Sequence, residues 1–445
     1  MKRIFTKRRL LPLALAAAGL LHGSGAAALG LLQAYDAALK NDPAFRAAYY
    51  QAEGGKENRI LGRSALLPTI SGAYSINQNR STIEVFGKET PQDYLSRSAT
   101  LQVRQPLFSM DAWARYKQGA AQSEYAAAQF DSQAQEVLMR VLGAYFEVLF
   151  KQDQVKFAQA ERDMYIEQKN VNALLYKKGE GTRTDELETQ SRLDLAEAQL
   201  LEAQDALVNS TDTLSSVVGM AVPAGSLDQM RPGLNVARQD IQGYDKWRDL
   251  ALEGNPDIRA LQKNLEISQQ EINKQRAGHV PRVDMVGTYG KTLSDSLSTI
   301  NQDTTVRSIG FQVNIPLYSG GSVSASTRQA VAGREKAKAD LQAQTDKILI
   351  DLRKSYNQVV SSQPRIDALE KAVASAQLLI TATEQSIKGG VRINLDLLTA
   401  QRQLFAAKRD LAQARYGYLL AMLRLRADAG TLGPEDVRLV AAYFE

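Results

Sequence analysis

The sequence predicts a mainly α-helical, internally duplicated chain with a small β part. Four strands from each of three copies would close a transmembrane β-barrel of about 12 strands, continuous with a long α-helical barrel. Three observations carry this prediction. The chain repeats itself in order, it holds two pairs of amphipathic strands bounded by prolines, and two of its helices keep a heptad of alternating large and small residues.

The first element is a leader. Residues 1–28 carry Lys2, Arg3, Lys7, Arg8 and Arg9 and no acid, then an apolar run Leu10–Leu21, then the small-residue stretch Gly23–Ala28. That order reads as a cleaved signal peptide with a mature start at Leu29. As a helix the apolar run rises only about 18 Å, short of a hydrocarbon core of about 30 Å. No later apolar run reaches eighteen residues, so an exported chain that ends in a membrane must do so as a β-barrel.

The leader also explains the charge. It holds five of the 54 basic residues, leaving the rest balanced against 49 acids. No basic stripe with interleaved aromatics remains, so nucleic acid is excluded. Cysteine is absent, which removes disulfides, thiolate metal sites and a lipidated N-terminal Cys. Beyond the leader His279 is the sole histidine, so Ser-His-Asp chemistry and His-based zinc sites lack material. The sequence therefore names no catalytic, metal or cofactor residue, and predicts no enzyme.

Duplication organises the mature chain. Asn41-Asp42-Pro43 answers to Gly254-Asn255-Pro256 and Leu67-Pro68 to Val280-Pro281, both 213 residues apart. Gln105-Pro106-Leu107-Phe108-Ser109 answers to Ile315-Pro316-Leu317-Tyr318-Ser319, and Lys178-Gly179 to Lys388-Gly389, both 210 apart. The predicted units are a first repeat over 29–219, a linker over 220–247, a second repeat over 248–430 and a tail over 431–445. Each repeat reads helix, strand pair, very long helix, break, long helix.

The first helix of each repeat starts at a cap residue followed by Pro, and stops near Pro68 or Pro281. The pattern then turns to period two, predicting hairpins over 69–105 and 282–315. Ile70, Gly72, Tyr74 and Ile76 alternate with polar neighbours, as do Ile309, Phe311, Val313 and Ile315. Segments of about ten residues, joined by a polar loop, suit transmembrane barrel strands. Pro68, Pro106, Pro281 and Pro316 stand at the four helix–strand junctions. No proline follows Pro106 until Pro223, so the next helix can run from Asp111 to Leu175, about 100 Å. It breaks at Lys177–Thr182. The second long helix breaks at Lys388-Gly389-Gly390, and Pro364 is expected to kink or unwind it.

After each break the heptad appears. Leu193, Leu200, Leu207 and Leu214 fall seven apart, with Ala196, Ala203, Ser210 and Val217 three residues behind. Leu397, Leu404, Leu411, Tyr418 and Leu425 repeat the pattern with Ala400, Ala407, Ala414 and Ala421. Such a seam packs helices closely. A periplasmic coiled-coil adaptor would share it but would lack the four proline-bracketed strands. Four strands cannot close a barrel, so chain copies must share one. Two copies would fill the interior, whereas three leave a passage.

This ordered set resembles the TolC family of outer-membrane ducts over essentially the whole mature chain. The resemblance is carried by Leu39–Ala47 and its repeat, Gly278–Pro281, Ile315–Gly321, Gly390–Arg402 and Ala429-Gly430-Thr431-Leu432. It implies a homotrimer in outer-membrane lipid. A periplasmic adaptor and an inner-membrane transporter of the ABC type would act on its helical end, with no cofactor. It also implies a periplasmic gate. Arg392 matches the Arg that ties inner to outer helix, with Asp185 as its acidic partner. Asp396 matches the first acid of the entrance ring, while Thr399 stands at the second ring position and Ile387 at a latch Tyr. The start Leu29–Tyr35 and the short tail are similar to ducts of type I protein secretion. Multidrug efflux by the same architecture is the alternative.

Overall fold

The computed structural model describes residues 29–223, 225–231, 243–294 and 302–444. The leader over 1–28 and much of the 220–247 linker lie outside the described residues. Two short helices open each repeat: α1 (Leu31–Asn41) and α2 (Pro43–Ser64) in the first, α5 (Tyr244–Gly254) and α6 (Pro256–Arg276) in the second. Their starts are built alike. The Asp42 carboxylate accepts from the amides of Ala44 (2.7 Å) and Phe45 (3.1 Å), and the Asn255 amide oxygen from those of Asp257 (2.9 Å) and Ile258 (3.2 Å). Both cap residues are buried, and Pro follows each at the first helical position, where its missing N–H costs nothing.

The four strands form one antiparallel sheet in sequence order: β1 (Thr69–Val85), β2 (Lys88–Phe108), β3 (Arg282–Ser294) and β4 (Gln302–Asn314). Register makes its two faces different. Ile70, Val103, Gly287 and Ile309 lie in one row across all four strands; the adjacent row is Ser71, Gln102, Thr288 and Ser308. Ile70, Tyr74, Ile309 and Phe311 are two-thirds or more exposed, so among the described residues of one chain nothing covers the apolar face. Among the described residues, the outer edges of β1 and β4 likewise have no strand beside them in the chain. In hydrocarbon unpaired edges of this kind are not tolerated. Where the repeats meet, the buried Asp284 of β3 accepts from Arg104 of β2 at 2.6 and 3.1 Å.

Two expectations about the strands need correction. The first hairpin has no polar loop: β1 and β2 stay paired from Thr69–Arg104 out to Val85–Lys88, and the turn is Phe86–Gly87, both at positive φ. Polar side chains over 77–94 do not oppose pairing where the ribbon has left the four-stranded sheet. Pro106 is not a boundary either. β2 continues to Phe108 through a bulge between Pro106 and Phe108, a place where the missing amide of proline is tolerated. Pro68, Pro281 and Pro316 do sit between elements.

The long helices are α3 (Met110–Lys178, 69 residues) and α7 (Ser322–Lys388, 67 residues), each about 100 Å long. α4 (Arg183–Val218) and α8 (Asn394–Asp428) return along them, and α9 (Pro434–Ala441) closes the chain. α7 passes through Pro364 without an unwound turn. Pro364 has no amide to donate to the Val360 carbonyl, and beside it the side-chain amide of Gln363 donates to the Tyr418 hydroxyl at 3.2 Å. Most heptad positions are buried, among them Leu193, Leu200 and Leu214 of α4 and Leu397, Leu404, Tyr418 and Leu425 of α8.

The main core lies midway along α3 and α7. There Val141, Tyr145 and Leu149 meet Leu352 and Val359, the ends of α4 and α8, and α1, α9 and Phe444. The Phe444 ring stacks on Phe146 at 5.7 Å. Far from it, towards the helix breaks, the apolar cluster shrinks to Tyr165, Leu193, Ala196 and Leu398.

Candidate functional site: the two helix breaks and the wall above them

At the first break α3 ends on Gly179 in the left-handed conformation (φ 79°), and α4 begins under a reciprocal cap. The Asp185 amide donates to the Thr182 hydroxyl oxygen (3.1 Å), while the Asp185 carboxylate accepts from the Thr182 amide (3.1 Å) and hydroxyl (2.6 Å). Such a capping box satisfies amides that helix geometry leaves open. The second break is built differently. α7 ends at Gly389-Gly390, and α8 starts behind Ile393, which supplies no side-chain cap.

Arg392 lies in this uncapped turn, exposed, and among the described residues its guanidinium is in no ion pair. Inside one chain it does not meet Asp185, whose carboxylate serves the α4 cap. Asp396 is half-buried in the first turn of α8, where a carboxylate suits the positive end of the helix. Thr399 is exposed, its hydroxyl donating to the Leu395 carbonyl at 2.8 Å. His279 is exposed in a single turn of 3-10 helix before Pro281. Among the described residues no three His, Cys, Asp or Glu stand together as a metal site, and no helix is long and apolar enough to cross a membrane.

The structure adds residues the sequence did not single out. Thr189 of α4, fully buried, is a hub: its hydroxyl donates to the Asp185 carbonyl (2.8 Å) and accepts from the amides of Asn172 of α3 (2.8 Å) and Asn394 of α8 (3.4 Å). Gln168 of α3 donates to the amide oxygens of Asn394 (2.8 Å) and Asn172 (3.1 Å). A signal existed, because Thr189 is the small heptad position seven residues before Ala196, and like Ser210 it puts a hydroxyl in the packed seam.

Above the hub a cleft of about 830 Å³ opens between α3, α4 and α8. Several alanines line it, and Arg192, Arg402 and Arg409 line it with Glu161 and Tyr165. Burial pushes the Glu161 carboxyl up against the pull of Arg402 and Arg409, and pushes the Tyr165 phenol to about 12. The Tyr165 hydroxyl is buried close to that carboxylate without a well-formed hydrogen bond.

The family model described as outer membrane efflux protein matches residues 34–220 and again 247–431, most of the chain. The chain belongs to this family. The double match is the duplication seen from outside. The alkaline protease secretion protein AprF of Pseudomonas aeruginosa is 42% identical over 445 residues, covering 99% of this chain and 92% of that protein. The proteases secretion protein PrtF of Dickeya chrysanthemi is 36% identical over 432 residues, 96% and 93% of the two. The solved outer-membrane protein VceC of Vibrio cholerae shares the fold at a TM-score of 0.79 with 18% identity, over 90% of this chain and 96% of that one. This family member is an outer-membrane protein with a periplasmic helical extension.

Proposed function

We propose that the chain is the exit duct of a three-part export machine. Three copies would close one barrel in outer-membrane lipid, and their helices would form a tube reaching into the periplasm. Secreted protein would pass from an inner-membrane ABC transporter, through a periplasmic adaptor and this tube, to the exterior. The duct is passive and assigns no chemistry to any residue. The observation that carries the reading is the four-stranded sheet with one apolar face in register, two open edges and helices of about 100 Å continuing from it. The protease-secretion names of AprF and PrtF favour protein cargo. The efflux description of the family favours small molecules as a second reading.

The basic cleft bounded by Arg192, Arg402 and Arg409 suits an acidic surface of the adaptor. Arg392 and Asp185, with Asp396 and Thr399 beside them, would line and latch the entrance. Since Arg392 and Asp185 are not joined inside one chain, their link would form between neighbouring copies in the ring. The test is reconstitution in a Gram-negative strain that lacks its own type I duct but keeps transporter and adaptor. Expression of this chain should restore release of the exported protein to the medium. Assembled trimers with no release, but with restored drug resistance in an efflux-duct mutant, would shift the assignment to small-molecule efflux.

A further inference from the structure

We infer that the hydrogen-bond hub of Thr189, Asn394, Gln168 and Asn172 is a clasp inside each subunit that decides whether the start of α8 stays against the α3–α4 hairpin. This inference rests on the duct reading and adds a second, separate hold on the entrance, one that uses no charge and no neighbouring copy.

Three observations converge on it. First, α8 begins without a side-chain cap, so no local side chain fixes its first turn. Second, its first residue, Asn394, reaches both partners of the other hairpin, accepting from Gln168 of α3 at 2.8 Å and donating to Thr189 of α4 at 3.4 Å. Third, the buried apolar cluster at this level is small, Tyr165, Leu193, Ala196 and Leu398 with Met164 against it, and separate from the main core. Where apolar contact is scarce, local opening is easiest, and a few part-buried hydrogen bonds set its equilibrium. Thr189 and Asn172 are 0% and 4% exposed, so separating α8 from them strands polar groups unless water enters. Water entry there is what widening of a tube end provides. The hub is therefore satisfied in two arrangements, clasped and hydrated, as a bistable element requires.

The hub also fixes roles. Thr189 carries three of the hydrogen bonds, so it is the positioning residue, and Asn394 is the moving one. Asp185 enters through its backbone carbonyl, apart from whatever its carboxylate does.

Single-channel conductance in planar bilayers tests this directly. Thr189→Val keeps the shape and removes the hydroxyl. It should shift the closed–open ratio of each subunit by about threefold, since the bond to Asn394 that it removes is long at 3.4 Å and part-buried, and so raise conductance. Thr189→Ser retains the hydroxyl and should conduct like the wild type. Because the chain has no cysteine, Gln168→Cys with Asn394→Cys can be bridged by a short dithiol reagent against no background. Bridged trimers should stay at low conductance and stop export, and cleaving the bridge should restore both. Thr189→Val trimers conducting like the wild type, or bridged trimers exporting normally, would overturn the clasp. If Thr189→Val does not assemble, the bridged pair decides alone. A wild-type chain that forms no channel at all would instead overturn the duct reading.

Discussion

The two helix breaks occupy matching places in the two repeats, yet they are held in different ways. With the 210-residue offset between Lys178-Gly179 and Lys388-Gly389, Thr189 corresponds to Thr399 and Asp185 to Leu395. Both threonines donate to the carbonyl four residues earlier, at 2.8 Å in each case. Thr189, however, is buried and gathers two further helices, whereas Thr399 is exposed and bonds only locally. The first break has a capping box. The second has Ile393 at the cap position, beside an Arg392 that is in no ion pair among the described residues. Two hairpins at matching places in the two repeats thus differ: the first carries its own cap and hub, and the second starts uncapped against it. With the clasp proposed above, this difference places the moving part of the entrance in α8 and its first turn.

The largest effect should come from the apolar half of the contact. Leu398 is 1% exposed and belongs to the small cluster, so Leu398→Ala should cost about 2–5 kcal/mol locally. Amide hydrogen exchange over 394–405 should accelerate while that over 418–425, in the main core, stays slow. Equal acceleration in both stretches would mean that the α8 start is no separate unit.

The caps sharpen the comparison next. Thr182→Ala should cost about 1 kcal/mol and let a protease reach the 177–183 turn. Installing a cap at the second break, Ile393→Asp, should do the reverse for 388–394, with a gain of similar size. If the second break becomes no more resistant, the missing cap is not what loosens it.

Arg392→Ser should have the smallest effect, about 0.2–1 kcal/mol for an exposed charge, seen as a modest rise in single-channel conductance. Arg392 is the cleaner probe of the latch. Asp185→Ala would also remove the acceptor that Thr182 reaches at 2.6 Å, and so would mix cap with latch.

Much of this fold is legible in the sequence, because it depends on local rules. The Asp42-Pro43 and Asn255-Pro256 helix starts, the breaks at Gly179 and Gly389 and the period-two strands are each fixed by residues close together in the chain. The heptad seam is legible because close packing repeats. The features that escape depend on distant partners. The ribbon over 77–94 pairs polar residues, which hydrophobic alternation does not detect. Pro106 marks a boundary by residue type alone, whereas a strand bulge accommodates it. Pro364 by type suggests a kink or an unwound turn, but the helix has no unwound turn there. Gln168 and Asn394 are ordinary surface types until α3 and α8 bring their side chains to 2.8 Å. Arg392 and Asp185, matched by motif, are not joined within one chain, since a motif places residues at a break without fixing what their side chains reach.

Both breaks act as an entrance only if the wall is shared between chains in a ring. The mass of the detergent-extracted protein tests this most directly. Four strands with open edges on β1 and β4 predict a complex of three copies that resists dissociation while folded. A folded, membrane-inserted monomer extracted from the outer membrane would contradict it.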